Sequence, residues 1–441
     1  MSKNNKLKNK ANNGLNIEVV EIKLNKLQQK AYDAVMDKKN VFITGSAGTG
    51  KSLLLKKLKF DLETKCFINT AITSTTGISA NIIGGVTLHS HLGIGLGSAS
   101  YKVLYKKITK NIKMFSRWKK LEVLVIDEIS MLHIELFEKL ERLGRNLRKD
   151  SRPFGGIRLI LTGDFLQLPP VADDSFIFES PIFDRCIDET IYLREIMRQT
   201  DETFTRVLNK VRIGEIDDEV ETILRSREIK YISKDGLIPT MLYSNNAQVD
   251  RTNKHYYNKL DSEEYTYELK YKWFKNILYK DKYDSQIRFS QELSLKVGAQ
   301  VMYLVNNTDC SLFNGSRGII TKFIEGYPVV LFDNKIETLI TRTTLDIEEN
   351  DSLILSYSQI PLKLAWAATI HKSQGCTISL CRIDIKNIFE NGQFYVAISR
   401  TRCLESLYIR NLDFNLLKAN PKAVEYYKAL EALESEVLEN H

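Results

Sequence analysis

Residues 40–58 read NVFITGSAGTGKSLLLKKL. Val41 to Thr44 form an apolar run that enters G-x-x-x-x-G-K-S and leaves it as a Leu/Lys helical pattern. Each residue type has a physical reason for its place. Gly45, Gly48 and Gly50 let the backbone curl until its N–H groups face phosphate oxygens. Lys51 then reaches the terminal phosphates, and the Ser52 hydroxyl ligates Mg²⁺. The loop Gly45, Ser46, Ala47, Gly48, Thr49, Gly50, Lys51 and Ser52 is therefore a candidate cradle for a nucleoside triphosphate. The competing reading is a chance glycine-rich turn, which a strand before and a helix after argue against.

Working outward, LEVLVIDEISML (121–132) reads as a buried strand ending in an acidic pair. At that edge Asp127 is placed to hold Mg²⁺ and Glu128 to polarise the attacking water. IRLILTGDFLQLPPV (157–171) is a third strand, with Gln167 just past its end to sense the terminal phosphate or orient water. Gln28, ahead of the helix that leads into the first strand, offers an amide able to read adenine as donor and acceptor. A solvated loop or an exposed helix start would present the same acidic pair or glutamine. Residues 133–147 space Leu136, Phe137, Leu140, Leu143 and Leu147 as the core stripe of a helix. Strands alternating with helices predict a parallel sheet with its ligand at the strands' carboxyl ends.

The chain has 441 residues, enough for two or more domains. Its net charge of +8 leans towards polyanionic partners. No apolar run is long enough for a membrane span, so no membrane partner is expected. The start, MSKNNKLKNKANNG, lacks a secretory apolar stretch and reads as a disordered basic tail over 1–15. The six cysteines are scattered without metal-ligand spacing, as in a reducing compartment. A cytoplasmic or other DNA-containing location is expected.

The second half decides what kind of phosphate-binding protein this is. Arg198 in LREIMRQ and Arg400 in GQFYVAISRTR stand far from the loop in sequence. A kinase or nucleotide switch has little use for a further domain carrying such arginines. A motor closes a second lobe over the triphosphate and uses them there. Read singly, each arginine could equally be a surface ion-pair partner.

GSAGTGKS, TSTTGISANIIGGVTLHSHLGIG (73–95), VLVIDEISML, PFGGIRLILTGDFLQLPPV, LREIMRQ, LKVGAQVMYLVNN (295–307), LFNGSRGIITKF (312–323), LAWAATIHKSQGCT (364–377) and QFYVAISRTRCLESLYI occur in that order. Together they resemble the petite-integration-frequency (Pif) family of superfamily 1 DNA helicases, from about residue 24 to about 415. IELFEKLERLGR (134–145) is similar to that family's signature helix. The family usually has Pro-Thr-Gly where Thr75-Thr76-Gly77 stands, and Ala at Ser79.

The resemblance implies an α/β fold of two RecA-like parallel-sheet lobes. The first lobe is expected over 16–190, with a small wedge insertion at about 85–115. The second is expected over 191–295 and 361–441, interrupted by an SH3-like β insertion at 296–360 and ending in a helix. It implies ATP and Mg²⁺ as cofactors, Lys51, Asp127, Glu128, Gln167, Arg198 and Arg400 as the catalytic set, and 5′-to-3′ movement. The partners implied are single-stranded DNA and forked or tailed duplex, with the protein a monomer in solution. Thr76, Gly77 and His89 in the first lobe and His371, Lys372 and Ser373 in the second become the two grips on the strand. In IHKSQG the Lys372 cation, hydroxyl and amide donors (Ser373, Gln374) and a glycine suit a grip on a phosphate backbone that does not read sequence. A translocase that displaces proteins without separating strands has the same motor parts, and so remains open.

YTYELKYKWFKNILYKDKY (265–283) reads either as a stacking and charge surface for DNA or as a half-buried strand. Trp366 reads as core. At the C-terminus Val424, Tyr427, Leu430 and Leu433 mark one face of a docked surface helix.

Overall fold

The computed structural model describes residues 23–439, apart from 171–172, 174, 200, 232–236, 275–286, 288, 306, 308–309, 311, 313 and 350–351. The expected tail over 1–15 lies outside these residues, as does the part of the aromatic-basic stretch beyond residue 274.

The first lobe is built on six parallel strands: β1 (Val41–Gly45), β2 (Thr70–Ser74), β3 (Val86–Thr87), β4 (Val123–Asp127), β5 (Arg158–Gly163) and β6 (Glu189–Leu193). Their spatial order is β3-β2-β4-β5-β1-β6. Strands covered on both faces are apolar along most of their length, and the period of two divides their side chains between two cores. Val41, Ile43, Val123, Val125 and Ile160 meet the helices Lys26–Met36 and Lys51–Thr64. Phe42, Leu124, Ile126, Leu159 and Leu161 meet Ile134–Arg148, whose Leu136, Phe137, Leu140, Leu143 and Leu147 are buried as their spacing predicts. The lobe runs through Leu193, because β6 pairs with β1 along its whole length; a boundary at 190 would cut that strand.

Residues 88–120, around the expected wedge, form the helices Leu88–Leu92, Tyr101–Lys110 and Ile112–Lys120. They rest on the same core through Leu104, Ile108, Met114 and Trp118. The Trp118 indole N–H donates to the Leu92 carbonyl at 3.2 Å.

The second lobe carries four parallel strands ordered Ala367–Thr369, Thr240–Tyr243, Cys381–Asp384 and Leu407–Arg410. Its β insertion is larger than the expected 296–360. Glu264–Glu268 pairs with Glu292–Lys296, and Lys270–Trp273 pairs with Ser352–Gln359, so the β-rich unit begins near residue 264. The described part of the aromatic-basic stretch is accordingly half-buried strand, with Tyr271 and Trp273 packed inward and Lys270 and Lys272 exposed. Trp366 is core.

The C-terminal helix Pro421–Glu439 does not stay on the second lobe. It crosses back and completes the core of the first. Ala423 and Tyr427 are buried there, Tyr426 stacks on Phe178 at 4.4 Å, and Lys422 pairs with Glu179 at 2.7 Å. The Tyr427 hydroxyl accepts the Phe165 N–H at 3.1 Å and lies 2.5 Å from the Thr44 hydroxyl, between β1 and the exit of β5. Of the expected stripe, Leu433 is exposed, because the helix has run past the lobe by then.

If this helix is a structural part of the first lobe, Tyr427→Ala should lower stability by about 3–5 kcal/mol in urea unfolding. Tyr427→Phe, which leaves the Phe165 N–H unsatisfied, should cost about 1–3 kcal/mol. An unchanged urea midpoint for both would mean that the helix does not hold to that surface in solution.

Candidate nucleotide site and strand grips

The loop after β1 has the backbone its glycines allow. Gly48 has φ 91°, and a Cβ there would lie 2.7 Å from Gln199 Oε1 and 2.8 Å from Arg198 Cβ. Gly50 has φ 82° and sits against the Gln28 amide, 2.5 Å from where a Cβ would stand. The Lys51 ammonium donates to the Gly45 and Ser46 carbonyls at 2.6 and 3.0 Å. Burial pushes its pKa down, while Asp164, Glu128 and Asp127 pull it up. Gln28 is fully buried. Its amide NH₂ donates to the Thr49 carbonyl, and its oxygen accepts from the Asn25 N–H in a helix capping box. It therefore props the loop, and any base it reads must share those groups.

The acidic pair stands where β4 ends. Asp127 is buried and accepts from the hydroxyls of Ser79 (2.7 Å) and Thr162 (2.5 Å). Thr75 donates its hydroxyl to the Glu128 carbonyl at 2.9 Å. Both departures from the family pattern, Thr75 and Ser79, thus add a hydroxyl bonded to this pair. Glu128 is held at φ 54° and ψ 49°, a left-handed conformation a glutamate adopts only when its surroundings fix it. Burial first, and then Asp127, push its carboxyl up to about 7, against Lys51, Arg400 and a hydrogen bond from Gln374.

Across the cleft, Gln374 Nε2 donates to Glu128 Oε2 at 2.9 Å and lies 3.4 Å from Gln167 Oε1. The sequence reading counts the Gln374 amide among the donors of a phosphate-backbone grip; the structure turns it instead onto the catalytic pair. Its Oε1 is buried without a hydrogen-bond partner among the described residues.

Arg198 and Arg400 come together here. The Arg400 guanidinium is 1% exposed and bonds only oxygens of its own lobe: the carbonyls of Val396 and Ser373 and the Ser399 hydroxyl. Arg198 reaches the Ser399 carbonyl at 3.3 Å. Neither makes an ion pair among the described residues. Burial lowers both pKa values, that of Arg198 to about 10 with the neighbouring Arg400 as the next cause.

The two expected grips are placed in different lobes. Thr76 caps the short helix Gly77–Ile82 by accepting the Ser79 N–H, and Gly77 is exposed. His89 is half-buried, with its pKa lowered by burial and by His133. In the second lobe Lys372 is exposed and donates to Asn246 Oδ1, while His371 lies 3.5 Å from Glu390. Ser373 departs from expectation. It is buried, and its hydroxyl is spent on the Ile370 carbonyl. Its carbonyl accepts from Arg400, so it stands behind the grip, on the nucleotide side.

Sequence reasoning also missed what joins the lobes. Arg212, on the second-lobe helix Glu202–Arg212, makes a two-pronged ion pair with Asp164 at the exit of β5, at 2.8 and 3.0 Å. Its third nitrogen reaches the Tyr192 hydroxyl, and its face lies 4.5 Å from the Tyr427 ring centroid. Both partners are buried. Asp164 in turn accepts the Leu166 N–H and shapes the turn that carries Gln167. The Tyr395 hydroxyl accepts the Ala47 N–H at 2.9 Å and ties the Arg400 segment to the phosphate loop. Arg212 and Asp164 are 48 residues apart, so no local pattern pairs them; Tyr395 lay in view, five residues before Arg400.

The donor set suits a triphosphate with Mg²⁺: a glycine loop, a lysine, a hydroxyl, an acidic pair and two unpaired guanidinium groups. Comparison with known proteins gives the same direction. The PIF1-like helicase family profile matches residues 23–222, and that of the DNA helicase Pif1 2B domain matches residues 279–323. The ATP-dependent DNA helicase PIF1 of Danio rerio is 40% identical over 417 residues, covering 92% of this chain. The chain spans only 64% of that relative's length. The Pif1 helicase of Candida albicans superposes with a TM-score of 0.79 at 36% identity, covering 93% of this chain and 100% of that one. Bacteroides Pif1 in complex with ADP-AlF3 and ssDNA gives 0.66 at 30% identity, covering 93% and 98%.

Asp164→Asn should strand the Arg212 charge and cost about 3–5 kcal/mol in urea unfolding. Burial raises the Asp164 pKa, but Arg212 more than offsets this and holds it below the usual carboxylate value. The pair's contribution is therefore whole above the unfolded carboxylate pKa of about 4 and is lost as pH falls through the folded value. Wild-type protein should lose stability on acidification below about pH 4, and Asp164→Asn should lack that component.

Proposed function

The chain belongs to the PIF1-like helicase family, and from that premise we propose that it is an ATP-dependent DNA helicase. In this reading it moves 5′ to 3′ on single-stranded DNA and opens forked or tailed duplex. One observation carries the nucleotide half of the reading. Arg400 is fully buried, Arg198 lies half-buried beside it, both stand near Glu128, and neither forms an ion pair among the described residues. Buried unpaired cations cost several kcal/mol each, and a polyanion between them removes that cost. The Bacteroides relative that holds both ADP-AlF3 and ssDNA supports the choice of ligands.

Ser52 and Asp127 would hold Mg²⁺, and ATP with that ion supplies the anhydride bond to be broken. Glu128 takes the proton of the attacking water on a carboxylate oxygen. Gln167 orients that water, and Lys51, Arg198 and Arg400 neutralise charge on the transferred group. Because Arg400 belongs to the second lobe, its attraction to the phosphates draws the lobes together, and cleavage releases them. Gln374 links this step to the strand. It touches Glu128 and Gln167 and sits two residues after Lys372, so a shift of the second-lobe grip moves a bond on the base. Opening one base-pair step costs on average about 1.4 kcal/mol, less than one ATP supplies, so coupling geometry limits unwinding more than driving force. One chain carries every group named, so the proposed working unit is a monomer, acting in a DNA-containing compartment.

ATPase activity should rise strongly when single-stranded DNA is added and vanish in Lys51→Ala. Arg400→Ala should reduce kcat by roughly 10³–10⁵-fold with little change in nucleotide affinity; a pure affinity loss would remove Arg400 from this role. Forks with a 5′ tail should be unwound and those with only a 3′ tail left intact. ATP turnover without any fork opening would favour the protein-displacing translocase. Gln374→Ala removes a bond that favours ionised Glu128, so the acid limb of its kcat–pH profile should move to higher pH. A profile that falls uniformly without moving would make Gln374 structural only.

A further inference from the structure

Between Glu63 and Glu122 the chain has no acidic residue. Within that span, residues 101–120 carry eight cations, as many as the net charge of the whole protein. They lie on the helix pair Tyr101–Lys110 and Ile112–Lys120. Lys102, Lys106, Lys107, Lys110, Lys119 and Lys120 are all exposed, and none of them makes an ion pair among the described residues. Elsewhere on the surface lysines do find carboxylates, as Lys39 finds Glu189 and Lys210 finds Asp217.

The scaffold under these lysines is fixed. Leu104, Ile108, Met114 and Trp118 anchor the helices in the first-lobe core. Arg117 donates to the His91 carbonyl, and Arg148 to the carbonyls of Trp118, Lys119 and Leu121. Arg117 and Trp118 thus tie the helix pair to the short helix Leu88–Leu92, which also carries the grip residue His89.

We propose that this helix pair is a second nucleic-acid surface, and that it binds the phosphate backbone of the paired DNA arm beyond the strand held by Thr76, Gly77 and His89. Surfaces that bind single strands interleave cations with exposed aromatic rings on which bases stack. This face has no exposed ring. Tyr101 and Tyr105 pack against each other, Arg142 covers Tyr101, and Phe115 is half-buried beneath Lys119. Charge without stacking suits a duplex, whose bases are hidden and whose phosphates are densest, about one per 1.7 Å of axis. Lys102, Lys106 and Lys110 recur every four residues, a step of about 6 Å along one side of a helix, which allows neighbouring phosphates to be met in turn. The proposal rests on the helicase reading for the identity of the partner.

The test is a variant with Lys102, Lys106, Lys107 and Lys110 each changed to Gln, which removes the charge and keeps helix propensity. Binding would be measured across a salt series to a 5′-tailed duplex and to the tail strand alone. The expected result is a slope of log K against log salt that flattens by about 2–4 on the tailed duplex, at about 0.9 per lost phosphate contact. The slope on the tail alone, and stimulation of ATPase by that tail, should match wild type. An unchanged slope on the tailed duplex overturns the proposal. So does an equal flattening on both substrates, which would assign the face to the single strand. A wild-type ATPase indifferent to single-stranded DNA would instead sink the helicase reading, while the two salt slopes would still decide whether this face binds duplex.

Discussion

A carboxylate and a guanidinium, both cut off from water, join the two lobes at Asp164 and Arg212. Such a pair adds little net stability, because desolvating two charges consumes most of their attraction. What it supplies is geometry. The two-pronged contact admits one relative placement of the helix Glu202–Arg212 and the exit of β5. That placement brings Tyr192 and Tyr427 onto the same guanidinium and sets the turn on which Gln167 stands. The cleft between the lobes lies beside this fixed point.

The cleft is the reverse case. Arg400 is as dry as Arg212 and Arg198 lies half-buried beside it, yet neither forms an ion pair among the described residues, and Glu128 sits nearby with its carboxyl pushed up to about 7. Arg212 is neutralised within the fold, whereas Arg400 and Arg198 are left for a ligand to neutralise. The same contrast separates the first lobe's two anion-seeking surfaces. The phosphate loop works in a dry site, where each donor counts heavily. The lysine face on residues 101–120 is wet and depends on number and spacing.

Much of this was legible in the sequence where cause and effect are local. The strand before the phosphate loop, the acidic pair after β4 and the stripe of Ile134–Arg148 are each fixed by residues within a few turns of one another. What failed was long-range. Strands at 264–273 and 292–296 pair with each other or with 352–359, and no period announces such a partner, so the insertion's boundary was set too late. Ser373 looked like part of a polar grip. A polar residue in a basic run is bonded inward or outward according to the packing behind it, and here Arg400 and Ile370 claim it. The Gln374 amide was expected in the same grip, since its actual partners Glu128 and Gln167 lie more than 200 residues upstream.

The helix Pro421–Glu439 is the last regular element of the chain, yet Ala423 and Tyr427 belong to the core of the first lobe. During synthesis at about 5–20 residues per second, that lobe emerges early and must wait for residues 421–439 before Phe165 and Phe178 are covered. Until then it carries an open aromatic seam, and the second lobe folds while its neighbour is still incomplete. The order of translation and the order of folding therefore run against each other in this protein. A ribosome that stalls before residue 421 leaves an unsealed first lobe, however much of the second it has already made.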